Sequence, residues 1–439
     1  MAQEQLFVCG AAGEAEVVGS GEQGEVRVKR ANRSQGVMQA TCIDELIPVD
    51  HRARALWVLS EKLDLSPFYE PIRSREGEAG RPAIDPRVLL CLWLYATSEG
   101  IGSARHLSRL CERDAPYRWL AGGMRINAHT LSDFRVGHEE RLNGLLTELL
   151  AALMKQGVVR LGRVAQDGCR VRASAGAASF RRESSLKKCL EAARKQVKAT
   201  RAQLDAPARE ESRQKVAAKA RAAQEVESRA SRALAELEKI RGSRTHSARK
   251  RKPEDARAST TDPEARVMRM PDGGYRPAVN VQVATDVESR VVVGVGITQS
   301  GSDMNEMTPM LEQIEQRTGR RPDEHLVDGG YVKREAINAA ESAGTKIYAP
   351  QSKQREGKGS RRWGDGDGVA SWRERMATAE AAVTYKDRAA TAETVNADLR
   401  QWRGLRQMPV RGTGKTLSVV LLMALTYNLM RVVSLGIQL

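Results

Sequence analysis

The sequence predicts an α/β protein: a mixed sheet with flanking helices, an all-α N-terminal domain and a helical-hairpin insertion. Three observations lead there. Apolar residues at helical spacing run through 84–155. From 277 to 350, β-branched runs alternate with helix signals. Between a short first strand at 161–168 and those runs lies a long stretch of Ala, Glu, Lys and Arg with almost no strand formers.

Each element has its own signal. Residues 1–40 are Gly- and charge-rich without periodicity and read as a weakly ordered leader. Residues 41–160 read as a helical domain. In IDPRVLLCLWLYAT (84–97), Asp85 is the expected N-cap and Pro86 the first helical residue. GIGS breaks that helix, Ser103 caps the next, a third follows near 127–137, and a long one spans 138–155. Arg105, His106, Arg109, Arg118 and Arg135 fall outside the apolar positions, which suggests a helix-turn-helix-like DNA-binding module rather than a plain bundle. LGRVAQDG (161–168) is a strand ending on Asp167 and Gly168. Residues 181–255 form the insertion, a basic helical hairpin broken at Pro207 and ending in a basic loop. After it, 277–286 and 290–299 form a hairpin, and 301–319 a helix with Asp303 as N-cap and Glu306 completing a capping box. EHLVD (324–328) is a strand, 331–343 a helix and 345–350 a strand, followed by a helix over 374–403. The apolar run 417–433 is interrupted by Thr426 and Asn428, so it reads as a core helix and not a membrane span. The sheet domain is thus 161–180 joined to 256–439.

Composition narrows the function. The net charge is +16, and residues 181–255 hold 22 Lys/Arg against 11 Asp/Glu, a polyanion-seeking excess that favours nucleic acid. The six cysteines form no Cys-x-x-Cys, which argues against structural zinc and disulfides. No basic stretch precedes an apolar core at the N-terminus, so no signal peptide is expected. GTGKT (412–416) lacks the spacing of a phosphate-binding loop.

Without the insertion, the element order is that of a ribonuclease-H-like sheet, in which the first and fourth strands are neighbours. Asp167 and Asp328, at the tips of those strands, would then lie side by side. Two such carboxylates repel unless a divalent cation joins them, and hard oxygen ligands favour Mg²⁺ or Mn²⁺ over zinc. A third ligand is expected from the last helix, where Tyr385, Arg388, Glu393 and Arg400 stand at near-helical spacing. Asp262, Asp286, Asp303, Glu306 and His325 read as turn, capping or structural residues.

In order and combination, GRPAIDPRVLLCLWLYA, VAQDGCRVRASAG, STTDPEARVMRMPDGGYRPAVNVQVATD, LVDGGY and YKDRAATAETVNADLRQWRGLRQMPVRG resemble the DDE transposases of bacterial insertion sequences. The resemblance runs from about Pro71 to Met430. It implies an Asp167–Asp328–Glu393 triad holding two Mg²⁺ or Mn²⁺ ions, with Tyr385, Arg388 and Arg400 as the remaining members of the third motif. The implied reaction is cleavage of double-stranded DNA at terminal inverted repeats and transfer of the freed 3′ end to target DNA. It also implies a homodimer on DNA, cytoplasmic and nucleoid-associated, with no membrane. Arg388 and Glu393 are separated by one residue more than in many relatives, and Arg400 replaces a frequent Lys, so Glu380 stands as the alternative third ligand. The alternatives to a transposase are a DNA-binding regulator or inactive remnant, and a nuclease without strand transfer.

Overall fold

The computed structural model describes residues 42–74, 82–205, 210–245, 252–351 and 364–437. The leader at 1–40, Pro207 and the basic loop at 246–251 lie outside them. The N-terminal helices are α1 (Arg52–Ser60), α2 (Ser66–Tyr69), α3 (Pro86–Ser98), α4 (Ala104–Arg113), α5 (Ala115–Leu120), α6 (Ala128–Gly137) and α7 (Glu139–Lys155). Their starts follow local chemistry. Asp85 accepts from Arg87 N at 2.8 Å, Ser103 from His106 N at 3.3 Å and Asn127 from His129 N at 2.8 Å, each satisfying an orphan first-turn donor. Helix α3 is buried from Val88 to Ser98, and its Trp93 donates to Leu131 O at 2.8 Å.

The sheet follows. Strand β1 (Arg163–Arg172) pairs antiparallel with β5 (Tyr275–Asp286) and parallel with β7 (Glu324–Leu326). Strands β4 (Arg266–Arg269) and β6 (Val292–Thr298) both line the outer edge of β5, and β8 (Lys346–Tyr348) lies parallel to β7. Two short strands, β2 (Phe180–Arg181) and β3 (Ala258–Ser259), close the neck of the insertion. The insertion is a helical hairpin, α8 (Glu183–Asp205) packed on α9 (Glu210–Thr245). Its base is anchored: Leu186, Ala233 and Leu237 pack on Ala256 and Ala258, and buried Glu236 pairs with Arg266 of β4. The remaining helices are α10 (Met307–Thr318), α11 (Arg334–Ser342), α12 (Asp367–Met376), α13 (Ala379–Arg388), α14 (Thr394–Gln401) and α15 (Thr413–Ser434).

Several boundaries differ from expectation. Strand β1 continues to Arg172 because β5 is long enough to pair with it throughout, so Asp167 sits mid-strand. The predicted helix over 374–403 breaks between α12 and α13, where Thr378 caps α13 by accepting from Ala381 N at 3.1 Å. Helix α10 starts at Met307 and has no side-chain cap, so Asp303 and Glu306 form no capping box. Arg135 is not a surface cation: it is buried, lies 4.4 Å from the Trp93 ring centroid and donates to Gly102 O.

Helix α15 is long and apolar enough to cross a membrane, but most of its apolar side chains are buried, and it packs on α3, α6, α7 and β6. One continuous apolar core runs from Ile47 through α3, α7, β1, β5 and β6 to Val432. Two polar devices seat the helix. At its start Gly412 N donates to buried Asp262 at 3.1 Å and Thr413 N to Glu264 at 2.7 Å, so the first two GTGKT amides are already taken by carboxylates. Asp262 is therefore a helix cap and not merely the turn residue its Pro neighbour suggests. Farther along, Asn428 accepts from Val292 N and donates to Val292 O, both at 2.8 Å. Asn428→Ala leaves that buried N–H and C=O unpaired and is expected to cost about 2–3 kcal/mol. A lowered urea midpoint at unchanged slope checks this.

Candidate active site

The parallel register of β1 and β7 sets the site. Ala165 is opposite Leu326, where the ladder stops. Asp167 lies two residues past Ala165 on β1 and Asp328 two residues past Leu326, and Asp328 is near enough to act on the Asp167 carboxyl. Asp167 is held by its own strand, accepting from Gly168 N at 3.0 Å. Asp328 accepts from Gly330 N at 2.7 Å and starts a single 3₁₀ turn, Gly329–Tyr331. Neither glycine has a positive φ. The need at Gly330 is room, since a Cβ there would lie 2.9 Å from Asp328 Oδ1.

Helices α13 and α14 cover this end of the sheet. Arg163, at the start of β1, pairs with Glu324 of β7 at 2.7 Å and with Asp387 of α13 at 2.5 Å, pinning the helix to the two strands. The next residue, Arg388, lies 3.7 Å from Asp167 Oδ1 and 3.3 Å from Glu393 Oε1. Between α13 and α14 the chain makes one π turn, Ala389–Glu393. An α-helix would rotate Glu393 well away from Arg388, but i→i+5 winding returns it to the same side. The extra residue in this interval is thus absorbed locally. Three residues farther on, Asn396 donates to Asp167 Oδ2 at 3.1 Å.

Charge in the site is poorly solvated. Burial pushes the Asp167 carboxyl up, Arg388 opposes the rise, and Asp328 adds to it. Tyr385 is half-buried, with its ring centroid 5.9 Å from the Arg388 guanidinium; burial raises its hydroxyl pKa, and so do Asp328 and Asp167. Arg400 is exposed on α14, and its charge partly offsets the burial that raises Cys169 of β1 to about 11. Among the described residues no three His, Cys, Asp or Glu side chains are assembled at metal-ligating distance, and Arg388 links Asp167 to Glu393. Glu380 is exposed in the first turn of α13, and no hydrogen bond or ion pair among the described residues ties it to the two aspartates.

The opposite face of β1 carries a polar layer that was not expected. Buried His325 meets Gln166 Oε1 at 3.0 Å, and Gln166 donates to Gln282 Oε1 at 2.9 Å. The buried Tyr331 hydroxyl donates to the same Gln282 oxygen. Gln282 and Asn280 donate to Asp303 at 2.7 and 2.6 Å. A signal for this layer exists in VNVQVA: two amides at alternating positions of an apolar strand share one buried face and require partners there.

Two family models match the chain: Transposase domain (DUF772) over residues 41–137, and Transposase DDE domain over residues 242–429. The chain belongs to the DDE transposases of the insertion-sequence type. Members of this family cleave DNA and transfer its strands, and they generally use divalent metal ions. Asp328, Tyr385, Arg388, Glu393 and Arg400 of this transposase fall within the matched DDE segment, whereas Asp167 lies between the two matches. No curated protein and no solved structure matches the chain.

Burial also holds His325 neutral, its pKa lowered from 6.5 to about 3. The unfolded chain therefore takes up this proton as pH falls below 6.5, while the folded chain refuses it until about 3. Stability should drop across that window. His325→Gln, which retains a donor toward Gln166, should flatten that part of the urea-midpoint profile.

Proposed function

We propose that this transposase binds the terminal inverted repeats of its element and uses Asp167, Asp328 and Glu393 for metal-dependent cleavage and strand transfer. The reading is supported by Asp328 standing close enough to act on the Asp167 carboxyl just past the end of the β1–β7 ladder, with Glu393 linked to Asp167 through Arg388. The sheet order, β6–β5–β1–β7–β8 with β5 alone antiparallel to its neighbours, supports a ribonuclease-H-like catalytic domain.

The donor set fits a hard divalent cation: all carboxylate oxygen, one group desolvated, and two like charges pressing on each other. Asp167, Asp328 and Glu393 would hold Mg²⁺, or Mn²⁺ in its place. Bound there, the metal would supply Lewis acidity toward the scissile phosphodiester. The chain's own groups do the rest. Asn396 fixes the Asp167 carboxylate, Arg388 keeps Asp167 and Glu393 together, and Arg400 offers an exposed cation for a neighbouring phosphate. Tyr385 supports Arg388 from α13.

The helices at 41–160 are assigned to end recognition, supported by exposed Arg105, His106, Arg109 and Arg118 on α4 and α5. The basic insertion at 181–255 is assigned to sequence-independent phosphate contacts, and the working unit on DNA to a homodimer in the nucleoid.

In a Mg²⁺ assay on duplex carrying the repeats that flank the gene, Asp167→Asn and Asp328→Asn should abolish nicking and joining while end binding survives. Retention of more than about a tenth of wild-type cleavage by either variant overturns the assignment, because loss of a metal ligand costs several kcal/mol in the transition state. Glu393→Gln should be equally inactive and Glu380→Gln active; the reverse result transfers the third ligand to Glu380. Cleaved but never joined products would indicate a nuclease.

The anchored base of the insertion dictates how its charge is tested. Replacing residues 195–226 with a short linker removes the outer hairpin but keeps Leu186, Ala233, Glu236 and Leu237. The slope of log K against log salt for non-specific duplex should become shallower by about 0.9 for every phosphate that the shortened chain no longer neutralises. An unchanged slope would assign the outer hairpin to solvent or to protein contacts.

A further inference from the structure

Asp303 is the least explained carboxylate near the site. It precedes α10 by four residues, caps nothing there, and keeps only 12% of its side chain exposed. Its Oδ1 accepts from Asn280 Nδ2 at 2.6 Å and from Gln282 Nε2 at 2.7 Å, and Arg170 Nη2 stands 3.6 Å from Oδ2. The carboxylate lies where a side chain on residue 168 would be: a Cβ on Gly168 would approach Oδ1 to 2.4 Å. It also borders the other strand tip, 3.8 Å from where a Cβ on Gly330 would sit.

A carboxylate oxygen that meets a side-chain amide accepts from its NH₂ group and not from its carbonyl. This fixes which way the Gln282 amide faces. With Nε2 on Asp303, Oε1 must point the other way, and there it receives both Gln166 Nε2, at 2.9 Å, and the Tyr331 hydroxyl. Gln166 immediately precedes Asp167 on β1. Tyr331 closes the Asp328-Gly-Gly turn. One amide oxygen therefore ties together the backbone segments that present the two aspartates, and one carboxylate decides that the oxygen faces them.

We infer that Asp303 is a positioning residue for transposition: acting through the Gln282 amide, it holds Asp167 and Asp328 in position relative to each other. The inference rests on the catalytic role proposed above for those two residues. Asparagine at 303 breaks the device with little change in volume. Its own NH₂ can satisfy Gln282 Oε1, so the Gln282 amide is free to turn over and withdraw its acceptor from Gln166 and Tyr331.

The test uses the full-length protein with Mg²⁺ and duplex carrying the flanking repeats, under single-turnover conditions. Asp303→Asn should slow cleavage by about 100-fold, the scale of a misplacement near 1 Å, with no change in the Kd for the same duplex. Tyr331→Phe should also slow cleavage at unchanged Kd. The double variant should be no slower than Asp303→Asn alone, since both changes act through the same amide. Wild-type cleavage by Asp303→Asn, multiplicative losses in the double variant, or a loss carried by weaker DNA binding would each overturn the inference. Should Asp303→Asn fail to fold, Tyr331→Phe decides by the same split between rate and Kd. Asp167→Asn run alongside separates the two levels. If that variant cleaves, the catalytic assignment falls and the inference with it; if it is inactive while Asp303→Asn is normal, only the inference falls.

Discussion

The constraint on which the rest depends is the parallel pairing of β1 with β7. Parallel strands keep a fixed register, and only three residue pairs are needed here before the strands part. Ala165 is opposite Leu326, and two residues beyond each of them stands an aspartate. A slip of one residue would turn Asp328 to the other face and leave Asp167 alone. The ladder is short, and its neighbours stabilise it. Strand β5 pairs with β1 from Val164 to Arg172, and Arg163 clamps Glu324 and Asp387 at the opposite end.

The same sheet divides its two faces between different tasks. On one, Asp167 meets Arg388 and Asn396 beneath α13 and α14. On the other, Gln166, Gln282, His325 and Tyr331 form a dry polar layer with Asp303 at its rim. Such a layer is costly unless its members find partners, and once satisfied it is stiff. His325 Nδ1 and Asn280 Oδ1 are the atoms of this layer left without one among the described residues. The largest apolar cluster joins the N-terminal helices to β1, β5, β6 and α15, and a smaller one packs Ala165 and Leu326 against Ala381 and Ala392.

Much of this was legible in the sequence. Caps at Asp85 and Ser103, the β-branched runs and the hairpin insertion all lie in local patterns that tertiary contacts did not override. The neighbouring of the first and fourth strands was legible in the element order, and β1 and β7 do pair. What the sequence hid depended on three dimensions. Arg135 looked like a surface cation because its spacing is that of an exposed position, yet Trp93 and Gly102 O draw it inward. Asp303 imitated a helix cap because a helix does follow, but with a start four residues later. Asn396 gave no signal at all, since one asparagine on a helix is ordinary until Asp167 appears beside it.

The π turn at Ala389–Glu393 has a consequence for how this segment tolerates change. Adding a residue to an α-helix normally swings everything downstream by about 100°, enough to exchange a buried face for a wet one. Here the added length is taken up within a single wide turn, and Val395 and Leu399 still face the core. A chain carrying this turn can gain or lose one position without repacking the helix that follows, so the interval from Arg388 to Glu393 is better measured in turns than in residues.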